Sequence, residues 1–181
     1  MTGAVVLISD EYRALNRAMY GAKPNYGSSG HRWVTFAHDL ALVCDAETLL
    51  DYGCGRGTLK AALEAASPLY RIFEYDPAIS GKETKPAHAD VVVCGDVLEH
   101  VEPECLDAVL DDICGIARRG VFFVVATGPA QKTLPDGRNA HLIVEPPGWW
   151  LPQLMARWDI QMFRNFKNGF LMSGFAAQGK D

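Results

Sequence analysis

With 181 residues, 49% of them hydrophobic and 22% charged, the chain is long enough for one domain with a self-sufficient core. A formal net charge of −5 argues against an extended nucleic-acid surface, though not against a small polyanion held locally. Cys44, Cys54, Cys94, Cys105 and Cys114 form no CxxC pair, which reads as reduced thiols in a cytoplasmic protein. No stretch suits a membrane span, and the first ten residues lack the basic start and cleavage site of a leader.

Residues 9–20 are expected to be helical, capped by Ser9 or Asp10, with Tyr12, Leu15 and Met19 on one face. Gly21–Gly30 has loop composition. A second helix is expected over 31–44, with Trp33, Phe36, Leu40 and Val43 at helical spacing and Ser28 or Ser29 as cap. Thr48–Asp51 reads as a buried strand that breaks into Gly53-Cys54-Gly55-Arg56-Gly57 and opens a helix over 58–66, stopped by Ser67-Pro68. Such a turn admits a ligand close to backbone, because glycine carries no Cβ and tolerates positive φ.

Leu69–Tyr75 is a second expected strand, ending at Asp76. An acid at that point can accept hydrogen bonds from both hydroxyls of a ribose. Residues 78–89 suggest no element. Asp90–Cys94 reads as a fully buried strand, followed by a turn. A helix is then expected from Pro103, with the stripe Leu106, Val109, Leu110, Ile113 and Ile116, late charges Arg118 and Arg119, and Gly120 as the stop. Val121–Ala126 is another buried strand, and Thr127–Pro147 a long connection of the kind that tends to be functional. A helix over 147–157 and a hairpin of 159–166 with 170–176 complete the chain.

Strand–helix alternation ending in a hairpin predicts an α/β fold: a doubly wound, mostly parallel Rossmann-like sheet with an antiparallel edge. The whole of 1–181 is expected to be a single domain, residues 1–46 forming N-terminal helices and a lid and 47–181 the catalytic core. Ligands bind such sheets at the carboxyl ends of the strands, where Asp51–Gly57, Asp76 and Gly95–His100 converge.

Leu50-Asp51-Tyr52-Gly53-Cys54-Gly55-Arg56-Gly57 resembles the first motif of class I S-adenosylmethionine-dependent methyltransferases. Asp76 resembles their ribose-binding acid, and Asp96-Val97-Leu98-Glu99-His100-Val101 their motif after the fourth strand. The resemblance spans about residues 31–176. It implies S-adenosylmethionine as cofactor, held by Asp51, Gly53, Cys54, Gly55, Gly57, Asp76, Gly95 and Asp96. The chain departs from the family in one place. Only residues 77–89 separate Asp76 from the next strand, where the family fits a helix and a third strand. That strand is therefore expected to be reduced or absent, and no adenine-binding acid is assigned.

Asp96, Glu99 and His100 would share a face of one helical turn, and His141 follows in the long connection. Two carboxylates and two imidazoles suit a divalent cation, magnesium or another. The set resembles the E-x-x-E-H motif and later histidine of small-RNA 3′-terminal 2′-O-methyltransferases, with Asp96 in place of the first glutamate. The implied reaction is O-methylation of a small-molecule or nucleotide-end hydroxyl, with His141, His100 and Glu99 as the catalytic set. Without metal, a histidine, His141 foremost, is a candidate general base. An N- or C-methyltransferase and a non-catalytic S-adenosylmethionine binder or scaffold are the alternatives. Cys94-Gly95-Asp96-Val97 stands where many nitrogen-directed enzymes carry Asn/Asp-Pro-Pro-Tyr. The loop Tyr26–Arg32 is either a connector or a cover for the cofactor, with Tyr26 or Arg32 near its carboxylate. The sequence sets no oligomeric state.

Overall fold

The computed structural model describes residues 5–67 and 69–176. Its centre is a six-stranded sheet in the order β2-β1-β3-β4-β6-β5. The parallel part comprises β1 (Thr48–Tyr52), β2 (Arg71–Tyr75), β3 (Ala89–Gly95) and β4 (Ala117–Ala126). The hairpin β5 (Trp158–Phe166) and β6 (Gly169–Ala176) adds antiparallel strands beyond β4. This is the Rossmann-like architecture the sequence predicts.

Helices cover both faces because successive strand residues point to opposite sides. Leu50, Val92, Phe123 and Met172 meet α4 (Leu106–Ile116) and α5 (Pro147–Met155) on one face. Leu49, Val91, Val93, Phe122 and Leu171 meet α2 (Val34–Val43) and α3 (Thr58–Ala66) on the other. Phe122 and Phe123 are each fully buried, and burying such a side chain stabilises by roughly 1.5–3 kcal/mol before entropy is counted.

The N-terminal α1 (Asp10–Ala22) starts at Ser9, which settles the choice of cap. The Ser9 hydroxyl accepts from Tyr12 N (3.1 Å) and donates to the buried carboxylate of Glu102 (2.6 Å). Tyr12 and Met19 of α1 pack with Tyr26, Leu134 and Ala140 into a small separate cluster. Thus α1 and the long connection 127–146 lie together above the carboxyl ends of the strands, and that placement creates the cavity described below.

Four local expectations are corrected. The 31–44 helix is divided: a 3-10 turn covers Gly30–Trp33 and only Val34–Val43 is α-helical, with no serine side chain capping either piece. The α4 helix stops at Ile116, so Arg118, Arg119 and Gly120 belong to β4 rather than to a helix end. Residue 120 packs against α2, where an added Cβ would lie 2.7 Å from Cys44 Sγ. Leu69 and Tyr70 precede β2 instead of joining it, and α5 ends at Met155. Pro68, expected to stop α3, lies outside the described residues.

No strand occurs between β2 and β3 among the described residues, so β2 is one edge of the sheet, opposite β5. The intervening loop is pinned by Lys85. Its Nζ donates to Asp112 (2.5 Å), which also accepts from Tyr52 Oη (2.8 Å), and lies 5.0 Å from the Tyr75 ring centroid. No helix among the described residues is long and apolar enough to cross a membrane.

Candidate functional site

The carboxyl ends of β1, β2, β3 and β4 open into one cavity of about 750 Å³, roofed by α1 and by the loops 25–32 and 128–132. Asp51, Gly53, Cys54, Asp76, Gly95 and Asp96 line it, as do Glu99, His100 and His141. The sequence-derived cofactor and catalytic candidates therefore largely meet in one space. Gly55 and Gly57 do not line it.

The glycine turn is left-handed at all three glycines, with φ of 75°, 52° and 74° at Gly53, Gly55 and Gly57, which explains the residue type at each. A Cβ at Gly53 would strike Val97 Cγ2 at 2.5 Å; at Gly55 it would fall on the Gly27 carbonyl oxygen, and at Gly57 on the Glu74 carboxylate. Gly55 is thus required by backbone packing, and Gly57 by its left-handed φ, since the Glu74 end it would meet is flexible. The turn's own amides are also spent: Gly53 N and Cys54 N on Tyr75 O, Gly55 N on Asp76 Oδ2, Arg56 N on Gly27 O and Gly57 N on Cys54 O.

Asp51 is buried on the cavity floor with Oδ2 unpartnered. Burial first, and then the Glu74 carboxylate, push its pKa up to about 7. Asp76 is better satisfied. Its Oδ1 accepts Ala78 N (2.9 Å), and its Oδ2 accepts both Gly55 N (3.1 Å) and the Tyr20 hydroxyl (2.8 Å). Sequence reading missed Tyr20, because an aromatic residue on an amphipathic helix reads as core.

The expected helical turn carrying Asp96, Glu99 and His100 does not form as such. Only Leu98–His100 is helical, in 3-10 form, and Asp96 stands ahead of it with φ of 58°. That backbone turns the Asp96 carboxylate to Trp33 Nε1 (3.1 Å). Asp96 is consequently not brought into the metal-ligand cluster. Trp33, expected on the apolar stripe of a helix, lies over Gly95 instead; a Cβ there would be 3.0 Å from its ring.

Glu99, His100 and His141 do come together, with one ligand atom from each lying within 4.8 Å of the others. Glu99 is 1% exposed; its Oε1 accepts Ala126 N (3.1 Å), while Oε2 has no partner. His100 Nδ1 faces Ala140 O (2.7 Å) and His141 Nδ1 faces Gly128 O (2.6 Å). A carbonyl only accepts, so both Nδ1 atoms carry a proton, and in a neutral ring held this way Nε2 is the atom that presents a lone pair. Metal-binding histidines are oriented in this manner by a backbone carbonyl behind them. Burial, and then the Asp96 charge, raise Glu99 to about 8; burial, and then His141, lower His100 to about 4. Near neutral pH the imidazole of His100 is therefore uncharged and ready to ligate.

The other loop candidates separate. The Tyr26 hydroxyl donates to Asn16 Oδ1 (2.8 Å), and its ring stands 6.2 Å from that of His100. Arg32 lines the mouth and is exposed. Arg138 closes a turn onto Asp136, and Asn139 bridges to Ala130, so neither faces the cavity. Trp150 is core and Trp149 is partly exposed.

No protein-family model matches the sequence, and no curated protein matches it. Solved structures do match. The 1,6-didemethyltoxoflavin-N1-methyltransferase of Burkholderia thailandensis, with its substrate and S-adenosylhomocysteine bound, superimposes with a TM-score of 0.67 at 15% identity, over 93% of this chain and 90% of that one. Magnesium protoporphyrin IX methyltransferase from Synechocystis PCC 6803, with S-adenosylmethionine bound, gives 0.62 at 13% identity over 93% and 99%. Mitomycin 7-O-methyltransferase gives 0.63 at 16% identity over 92% and 60%. The chain has the fold of these methyltransferases.

Proposed function

We propose that this chain is an S-adenosylmethionine-dependent methyltransferase that methylates a hydroxyl group of a small molecule or nucleotide end, assisted by a divalent cation. The observation that carries the reading is the single cavity joining the acids Asp51 and Asp76 to the Glu99–His100–His141 cluster. The neighbours in fold include enzymes crystallised with S-adenosylmethionine or S-adenosylhomocysteine, one of them also with 1,6-didemethyltoxoflavin. Residues 1–46 would act as the lid and 47–181 as the core.

In this reading Asp76 would hold the ribose, and Asp51, whose Oδ2 has no partner, would face the cationic end of the cofactor. S-adenosylmethionine supplies, when bound, a methyl group on an electrophilic sulfonium sulfur. Little covalent help from protein is then needed, and positioning dominates. The donor set fits a metal: an orphaned buried carboxylate oxygen and two imidazole nitrogens with fixed tautomers. Bound there, a divalent cation supplies positive charge that favours the ionised acceptor hydroxyl. One carboxylate with two imidazoles suits zinc, iron or nickel better than magnesium, which prefers oxygen donors. Glu99 would ionise on binding the cation, so affinity should increase with pH.

Calorimetry with S-adenosylhomocysteine tests the cofactor, and elemental analysis of the purified protein tests the metal. The cofactor reading fails if folded protein binds no S-adenosylhomocysteine at millimolar concentration. The metal reading fails if methyl transfer is unchanged by chelator, and His141 would then stand as general base through its free Nε2.

A further inference from the structure

Asp76 has little room for a diol. A carboxylate oxygen offers about two lone pairs, and both on Oδ2 are taken, by the Tyr20 hydroxyl at 2.8 Å and Gly55 N at 3.1 Å. Oδ1 already holds Ala78 N at 2.9 Å. A ribose chelating this carboxylate needs an acceptor on each oxygen, so the Tyr20 hydroxyl occupies a position that a ribose hydroxyl requires.

Tyr20 is not held there by that bond alone. Arg56, in the glycine turn, gathers the end of α1 and the loop after it. Its Nη2 donates to Tyr20 O (2.7 Å) and Lys23 O (3.2 Å), and its Nε to Tyr26 O (3.1 Å). Its backbone N donates to Gly27 O (2.8 Å). Gly27 in turn lies against the Tyr20 ring, where a Cβ would be 2.6 Å from Cε1.

We infer that the segment Tyr20–Gly27 is an autoinhibitory latch: Arg56 holds it closed, Tyr20 fills the ribose seat on Asp76, and a ligand with a ribose diol binds by displacing Tyr20. The inference rests on the proposed cofactor reading. A ligand that must first open the latch binds with an apparent Kd equal to its intrinsic Kd divided by the fraction of molecules already open. Removing the tyrosine hydroxyl removes the competitor and leaves the ring in place.

The test is titration calorimetry of S-adenosylhomocysteine into the full chain, wild type against Tyr20→Phe. The variant is expected to bind roughly tenfold more tightly, the effect of one hydrogen bond to a charged group. Tyr20→Leu, which also lacks the hydroxyl, is expected to share the gain and serves if the phenylalanine variant does not fold. Equal or weaker binding by a folded variant, with the wild type binding, overturns the latch and leaves the cofactor reading intact. Failure of wild type and variants alike to bind overturns both.

Discussion

His100 and His141 meet edge to face with ring centroids 4.8 Å apart, each anchored through Nδ1 to a backbone carbonyl of the same long connection. Rings so fixed lie beside Glu99, whose Oε2 is the one buried carboxylate oxygen of this group with no partner. Leaving such an oxygen unpaired costs about 1–3 kcal/mol or more, a cost that a cation would offset.

On the proposed metal reading, removing one of these three side chains should abolish cation binding without unfolding the chain. His141→Ala and Glu99→Gln are expected to lower affinity for zinc by at least the roughly 10–100-fold that even supporting residues cost. Competition with a chromophoric chelator measures it, and unchanged affinity in both variants would remove the cluster as a metal site.

Asp51 gives a pH dependence with a definite sign. Its native pKa, about 7, lies above the ordinary 3.8. Between those values the native state keeps a proton that the unfolded state has lost. Its contribution to stability is therefore present below about pH 4 and is lost as pH rises through 7. Relative to Asp51→Asn, the wild type should lose on the order of a few kcal/mol between pH 4 and 8. Urea unfolding at several pH values measures the difference, and parallel curves for the two proteins would refute it.

The contact between β4 and α2 has no spare volume. Gly120→Ala places a methyl group 2.7 Å from Cys44 Sγ and is expected to destabilise by about 1–3 kcal/mol. Cys44→Ala in the same chain should recover most of that loss. A double-mutant cycle in urea checks the coupling, and additive effects would show that the clash is relieved elsewhere.

Lys85 ties the loop that replaces a strand to α4. Lys85→Met keeps the apolar stem over Tyr75 but leaves Asp112 with only its Tyr52 bond, and should cost about 1–2 kcal/mol. Hydrogen exchange within 77–88 should rise with it. Unchanged exchange would mean that this loop is held by other contacts.

What was legible in the chain follows these physical lines. The alternation of strands and helices, the α4 stripe and the terminal hairpin are periodic signals, and they stand. The boundary at Ile116 was not legible, because Arg118 and Arg119 are exposed whether they end a helix or begin a strand. Arg119 does satisfy a helix C-terminus, through Cys44 O at 2.7 Å, but it is the end of α2. The residue type signalled a cap; sequence proximity named the wrong helix. In the site, Glu99, His100 and His141 assemble from spacing and loop length. Asp96 parts from them because a single backbone angle, φ of 58°, redirects its side chain, and no periodicity reports an angle. Tyr20 was invisible for a related reason: its partner Asp76 is 56 positions away.

The approach of Gly27 to Gly55 has a consequence for reading other chains. Backbone meets backbone there, so a side chain at position 55 would fall on the Gly27 carbonyl. Neither position admits a side chain while the two segments keep this approach, since a Cβ at Gly27 would in turn meet the Tyr20 ring and the Gly55 Cα. A homologue that keeps the second glycine of this turn but carries a bulky residue in place of Gly27 must route its N-terminal segment elsewhere. The pair thus works as a two-letter signature, readable without coordinates, for chains that close over the turn in the same way.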